Sequence, residues 1–567
     1  VNDSGFLALR FGRRARSLGW AGWGTSLVVC ALLGYSVLTT GLHGDIRYVL
    51  ACLRSGGAAG YSPSEIFTHR PFFYRWFIAG MDAVSAGPTG VREAIIRLMG
   101  IVLCVVAGLG LRSALVRSRR PLPRREATLT AAMVALSLAL APAVDYLQPE
   151  WTAALLSVVA VAVVFRVDRP WVAAAVASVP LGLAVMMKYS TAATALMALL
   201  VIFVADRVRA LLLAAATTVA SVALFGFSVW SGSHEWQWAR DMPKINPGAL
   251  SRTGIDPASL LDKTVVYLAD RAFLSPVLAL LPAALLLVLA RQADRRKRIE
   301  WVVTALLICL GCVAAVAVQG NWFAYHSAAL PVCAAALWGL AVARWYGWSG
   351  RPPLCFVAVS VLYGVLAPFA SAAPAWLQST AVAWLAAAVA LAAALADVRL
   401  SSEGRAGRRV PVALVALAGV VCLAAPVWPS APHLRMDGKV LATNTEYQQQ
   451  SEAKAAKAAE LRREIPAGDP VLYLAFGDLV YYIGHPAQCR YPVPTFLQRT
   501  ANLPDVDTLT SVEENARCIT ENPAPYAVLQ PSWFSLKRVD KTVIASFRKL
   551  YVCPQADPKQ TVVCRLR

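Results

Sequence analysis

The chain has 567 residues, 57% of them hydrophobic and 15% charged, with a mean hydropathy of +0.54. That balance excludes an ordinary soluble chain and makes the bilayer the main solvent. The formal charge of +21 would suit nucleic acid if it lay on one soluble face. Instead the basic residues cluster between apolar runs, so nucleic acid is excluded as a partner.

Apolar stretches of about 20 residues, each able to cross roughly 30 Å of hydrocarbon as a helix, recur from Leu18 to Trp428. They lie near 18 to 40, 94 to 116, 127 to 144, 150 to 166, 171 to 187, 190 to 205 and 210 to 230. Six more lie near 273 to 290, 300 to 318, 328 to 346, 353 to 371, 376 to 396 and 410 to 428. The pattern predicts an α-helical polytopic membrane protein with about thirteen transmembrane helices. The first stretch is long and no small-residue cleavage site follows it, so it reads as a retained span.

The basic clusters fall on one side if the spans alternate: Arg10 to Arg16, Arg117 to Arg125, Arg166 to Arg169, Arg207 to Arg209, Arg291 to Arg298, Arg344 to Arg351 and Arg399 to Arg409. The positive-inside rule makes that side cytoplasmic. The expectation is an inner or plasma membrane protein with a cytoplasmic N-terminus and an extracytoplasmic C-terminus. The two long exterior loops, 41–93 and 231–271, mix aromatic with charged residues. Phe72, Phe73, Tyr74, Trp76, Trp236 and Trp238 suit the headgroup region or the wall of a site.

Residues 1–430 therefore read as the membrane domain and 431–567 as a C-terminal extracytoplasmic α/β domain. A polar helix is expected over Ala442 to Glu464, buried strands at Val471 to Phe476 and Tyr526 to Gln530, helices at Thr510 to Thr520 and Ser535 to Leu550, and a hairpin over Leu550 to Leu566. Four of the twelve cysteines lie here, and four can pair as two disulfides. Cys553 and Cys564 flank the hairpin turn and are the easiest pair to bridge, leaving Cys489 with Cys518. Cys309 and Cys312 form a CxxC inside an apolar span, where packed thiols are the expectation. Asp505-Val506-Asp507 matches a DxD motif but reads as a solvated turn.

Ionisable residues at the outer ends of spans carry the functional signal, because a charge beside hydrocarbon is costly to keep. Asp45, just after the first span, can take a proton from an incoming hydroxyl as a general base, or cap the helix that follows. His69, Arg70 and Arg75 set an imidazole and two guanidinium groups among rings, a chemistry suited to phosphate, or to headgroup attraction alone. Asp145 and Glu150 lie in a short exterior turn. With Asp45 they can hold a divalent cation, Mg or Mn, position an acceptor hydroxyl, or cap the loop. Lys188, at another exterior turn, and Tyr325 and His326, at the end of Gln319-Gly320-Asn321-Trp322-Phe323-Ala324-Tyr325-His326, complete the substrate-binding candidates.

These features together resemble the GT-C superfamily of integral membrane glycosyltransferases, especially the bacterial branch related to protein mannosyltransferases and aminoarabinose transferases. Asp45 stands where that family has an acidic residue in its first exterior loop. Tyr146 to Glu150 is similar to its second acidic motif, and Gln319 to His326 to a Gln-Gly-Lys-x-x-x-Tyr-His stretch, with Asn321 in place of the Lys. The resemblance implies a polyprenyl-phosphate sugar donor and an inverting transfer to a glycan, lipid or protein acceptor, with Asp45 as base. Arg70, Arg75 and Lys188 would neutralise the departing lipid phosphate. A lipid-linked glycan transporter or flippase, or a ligase or polymerase using a pyrophosphate donor, are the alternatives.

Overall fold

The computed structural model describes residues 20–249, 257–290, 292–370, 374–402, 411–498, 509–533, 539, 541–554 and 560–567. Arg10 to Arg16, most of Arg399 to Arg409, and Asp505 to Asp507 lie outside these. In chain order, α1 (Trp20–Thr39) leads to two loop helices, α2 (Gly44–Ala58) and α3 (Phe72–Ala83). Next come α4 (Thr89–Arg117), α5 (Arg124–Ala139), α6 (Pro149–Arg166), α7 (Pro170–Met187), α8 (Ala192–Ala205) and α9 (Arg207–Ser231). The second long loop carries α10 (Glu235–Ala249) and α11 (Pro257–Leu274). The helical body closes with α12 (Leu281–Ala290), α13 (Arg295–Gln319), α14 (Ala329–Ser349), α15 (Leu354–Ala370), α16 (Thr380–Ser402) and α17 (Val412–Ala424).

Every expected span meets a helix, and among the described residues eight of these are long and apolar enough to cross a membrane: α1, α4, α6, α7, α9, α13, α14 and α16. The protein is a multi-pass membrane protein. Leu38, Val106, Val219 and Leu310 stand exposed on such helices, as a lipid-facing surface requires, whereas α14 is buried among its neighbours. Two expectations need correction. The stretch near 273 to 290 is not one helix: α11 ends at Leu274, and Ser275-Pro276 starts a 3₁₀ turn over Pro276–Leu278 before the short α12. The proline has no N–H to continue the ladder and restricts the residue before it. The stretch near 127 to 144 stops being helical at Ala139, before Pro142 and the turn that precedes α6.

The basic turns meet at one end of the body. Arg120 donates to the carbonyl of Ala205, Arg207 pairs with Glu300, and Arg344 pairs with Glu126. The two long loops and the tail occupy the opposite end, here called the loop face.

A tight hairpin, β1 (Pro432–Met436) and β2 (Lys439–Thr443), follows the last apolar helix. Its turn is Asp437-Gly438, both with positive φ (53° and 76°), the backbone that an Asp-Gly pair tolerates best. Next, α18 (Asn444–Arg463) starts at a capping box: the Thr443 hydroxyl takes the Glu446 N–H while the Glu446 carboxylate takes the Thr443 N–H. The sheet that follows has β3 (Val471–Leu474), β4 (Tyr526–Leu529), β5 (Tyr551–Val552) and β6 (Val562–Leu566) in the order β3-β4-β6-β5. β3 and β4 run parallel, and β6 runs antiparallel to both its neighbours. The short α19 (Gly477–Ile483), α20 (Thr510–Glu521) and α21 (Lys541–Leu550) complete the tail. Cys489–Cys518 and Cys553–Cys564 form disulfides, the latter across the expected hairpin.

The tail lies directly on the loops. A Cβ at Gly477 would sit 2.6 Å from the Tyr48 Cα, so only glycine lets α19 approach α2 this closely. Arg47 donates 2.7 Å to Ser451 and Arg435 donates 2.6 Å to Asp270, each tying a loop helix to the tail. Asp241 of α10 accepts from the Ser511 N–H (3.1 Å) and hydroxyl (2.8 Å) at the start of α20.

Candidate active site

Five chain segments far apart in sequence bring charged groups together at the loop face. Asp45 lies in the first turn of α2, where a carboxylate suits the helix dipole. It is not the cap: His43 is, its Nδ1 accepting the Asp45 N–H at 3.3 Å. The carboxylate is thereby released from backbone duty. Its Oδ2 lies 3.7 Å from Arg70 Nη2 and accepts from Gln148 Nε2 at 3.4 Å, and its side chain keeps 25% of its exposure.

Arg70 is buried in the loop before α3, and its Nε has no hydrogen-bond partner. Burial alone would lower its pKa, but Tyr325, Asp45 and Tyr74 outweigh that and raise it, so the guanidinium stays charged. Such a buried, incompletely bonded cation is costly without an anion.

Gln148 and Glu150 reach the site from the turn before α6, whose first residue, Pro149, is preset for a helix start. Leu147 in that turn has φ +62°, a left-handed backbone unusual for a branched side chain. The Tyr74 hydroxyl donates 2.7 Å to the Leu147 carbonyl and helps hold the turn there. Strain of this kind accompanies sites that must aim a side chain.

Glu150 Oε1 accepts from Lys188 Nζ at 2.6 Å and from His326 Nδ1 at 2.9 Å. The opposite atoms, Glu150 Oε2 and His326 Nε2, are buried without hydrogen-bond partners. Burial, with Lys188 beside it, pushes the His326 pKa down to about 4, so the ring is neutral and its open Nε2 is an acceptor. Gly320 ends α13 in the left-handed conformation (φ +71°), and the 3₁₀ turn Ala324–Ser327 then presents Tyr325 and His326. Lys188 Nζ lies 5.6 Å from the centre of the Tyr325 ring.

Three sequence candidates have different duties. Arg75, expected to meet phosphate, is 1% exposed, with its guanidinium saturated by the Pro63 carbonyl (2.8 Å), the Arg70 carbonyl (2.8 Å) and Glu235 (2.8 Å). It braces the loop that carries Arg70. His69 is not a cation for phosphate. Burial, then the nearby Arg70 and Lys188, hold its pKa well below the ordinary value, and its ring packs 4.0 Å from Phe496 and 4.9 Å from Tyr48. Asp145 has both oxygens on Arg271, at 2.9 and 2.8 Å.

Arg271 itself escaped sequence reasoning, as did Gln148. Arg271 is fully buried, and its Nε is without a partner. The available signal was an arginine at the edge of an apolar run, in Tyr267-Leu-Ala-Asp-Arg-Ala-Phe273.

Asp45, Asp145 and Glu150, expected as the ligands of any divalent cation, each face a basic group of the protein itself. Asp145 is saturated by Arg271, Glu150 is shared by Lys188 and His326, and Asp45 faces Arg70. A dication would displace ion pairs rather than fill a vacant carboxylate set. Among the described residues no cluster of three or more metal-ligating side chains forms. The arrangement has instead the makings of an anion site beside a base: cations with open N–H groups, next to one partly exposed carboxylate.

The class of molecule defined so far is a polytopic helical membrane protein whose α/β tail caps a charged site at the loop face. No protein-family model matches the chain, and no curated protein matches it. Among solved structures it is similar to ArnT from Cupriavidus metallidurans in the apo state, with 16% identity and a TM-score of 0.52 over 96% of this chain and 97% of that one. ArnT from the same organism bound to undecaprenyl phosphate matches with the same identity and TM-score, over 96% of this chain and 98% of that one. The chain shares the fold of these ArnT structures, in line with the GT-C-like architecture expected from its sequence.

Proposed function

We propose that this protein is a membrane glycosyltransferase that moves a sugar from a polyprenyl-phosphate donor to an acceptor outside the cytoplasm. The observation that carries the reading is the pairing of Asp45 with the open guanidinium of Arg70, close to the Glu150, Lys188 and His326 cluster. ArnT, whose fold it shares, is a protein that binds undecaprenyl phosphate, which supports a lipid phosphate as the donor's anchor. The basic turns at the far end of the body support an extracytoplasmic loop face in the inner or plasma membrane.

On this reading Asp45 accepts the proton of an acceptor hydroxyl. The oxygen attacks the anomeric carbon from the side opposite the phosphate, and the carbon–oxygen bond to the phosphate breaks. The electron pair leaves with the polyprenyl phosphate, and the anomeric configuration inverts. Arg70 and Lys188 stabilise the charge that accumulates on the leaving phosphate, in a site poor in water where such contacts are strong. Gln148 holds Asp45 in place through its amide. No step calls on a metal, so turnover should survive EDTA; loss in EDTA with rescue by Mg or Mn would revise the site.

The test is turnover by the purified protein in nanodiscs, offered a panel of polyprenyl-phosphate sugars, with release of polyprenyl phosphate as the readout. Release that disappears in Asp45→Asn is the expected result. Donors left intact by a folded protein would reject the reading in favour of lipid-linked glycan transport or a pyrophosphate donor.

A further inference from the structure

A second cavity, of about 320 Å³, lies between the outer ends of α1 and α4 and the tail helix α18, its wall including His433 and Tyr447, whose rings stack near His43. Its chemistry differs from that of the site beside it. Thr40 and Gln448 supply a hydroxyl and an amide, Glu452 a carboxylate, and Tyr447 and Tyr482 rings, while Asn444 and Ser451 line it with groups already bonded within the protein. The cation in its wall, Arg47, is closed on Glu93 by two bonds of 2.9 Å, which leaves little to attract an anion.

Two polar groups in the wall lack partners. His433 is 2% exposed, and its Nε2 has no hydrogen-bond partner. Burial keeps this ring neutral by holding its pKa well below the ordinary value. The Tyr447 hydroxyl is likewise buried and unbonded, and its ring stacks on His433 with centroids 3.5 Å apart. Buried polar atoms are rarely left so unless something supplies the missing bond.

One wall of the cavity also lies near the base. The Tyr447 hydroxyl lies 3.3 Å from where a Cβ on Gly44 would be, one residue before Asp45. On its outer side the cavity borders Leu38, whose side chain is exposed at the lipid-facing end of α1.

We infer that this cavity is the acceptor subsite and that it takes a neutral saccharide. Hydroxyl and amide groups match the hydroxyls of a sugar, and the tyrosine faces match its C–H surface. The inference rests on the glycosyltransferase reading for its role, but the binding of a saccharide can be measured without turnover.

The experiment is saturation-transfer NMR on the full chain in nanodiscs, with methyl α-mannoside, methyl β-galactoside, methyl α-arabinofuranoside and their disaccharides as probes. At least one probe should receive saturation from the wild-type protein. Gln448→Trp, an exposed α18 position whose indole would fill the cavity mouth, should abolish the signal, and Tyr447→Phe should weaken binding several-fold. Tyr447→Phe decides the matter if Gln448→Trp fails to fold. No signal with any probe, or signals that survive both substitutions, would overturn the inference. Donor turnover read in parallel separates the two claims. Polyprenyl phosphate release without saccharide binding here sinks the acceptor subsite alone, whereas saccharide binding here without donor turnover sinks the transferase reading and leaves a sugar-binding cavity.

Discussion

Two sets of buried charges at the loop face differ in how completely they are bonded. In and beside the loops, Arg47 with Glu93, Arg75 with Glu235 and Arg435 with Asp270 are closed. Each carboxylate has both oxygens bonded: Glu93 takes two N–H groups of Arg47 and the Leu42 N–H, while the second oxygens of Glu235 and Asp270 take the N–H groups of Phe72 and Gly438. A few ångströms away, around Asp45, buried polar atoms of Arg70, Glu150, His326 and Gln148 remain without partners. Burial alone therefore does not mark the functional charges. Completed pairs hold the loops and the tail in place, and incomplete ones wait for an anion and a hydroxyl.

The largest expected effect breaks the open side of this comparison. Asp45→Asn keeps the size and the contact with Gln148 but removes the basic oxygen, so turnover should fall by about 10²–10⁴-fold, the usual worth of a general base. Circular dichroism should show the fold intact, with some loss of stability because Arg70 keeps its charge without its carboxylate partner. A variant that turns over normally would remove Asp45 from the chemistry.

On the closed side, Arg75→Ala strands Glu235 in a buried position and should cost about 3–5 kcal/mol of stability. Denaturation in detergent, followed by near-UV circular dichroism, would show it as a shifted transition. A stable Arg75→Ala protein that binds donor poorly would instead return Arg75 to the phosphate role expected from its position in the sequence.

These two outcomes bear on what sequence can reveal. The apolar runs made the helical body legible, because each had to satisfy its backbone within itself. In the tail β3, β4, the hairpin of β5 and β6 and the Cys553–Cys564 disulfide were legible from short-range pattern, Cys489–Cys518 followed as the pair left over, and the β1–β2 hairpin was not foreseen. The division of labour between Arg70 and Arg75 was not, since it depends on Glu235, 160 residues beyond Arg75. In the same way Asp145 looked like an available carboxylate until Arg271, 126 residues away, closed on it. The helix break at Pro276 was masked by the apolar residues on both sides.

The pH response should sharpen the comparison. The His326 pKa is depressed from 6.5 to about 4 in the fold. The unfolded chain therefore binds a proton that the folded one does not in that interval, and stability contributed above pH 6.5 is lost as the pH falls toward 4. The loss is on the order of 3 kcal/mol when complete. His326→Gln should flatten this part of the stability curve measured between pH 7 and 4, and an unchanged acid slope would show that His326 does not govern it.

The smallest expected effect is also the most direct test of the central claim, that the open guanidinium of Arg70 belongs to a lipid phosphate. The measurement is the affinity of the protein in nanodiscs for undecaprenyl phosphate, in wild type and in Arg70→Gln. The account predicts binding at least about tenfold weaker in Arg70→Gln, equal to roughly 1.4 kcal/mol, with the fold intact. Equal affinity in the two proteins would contradict it.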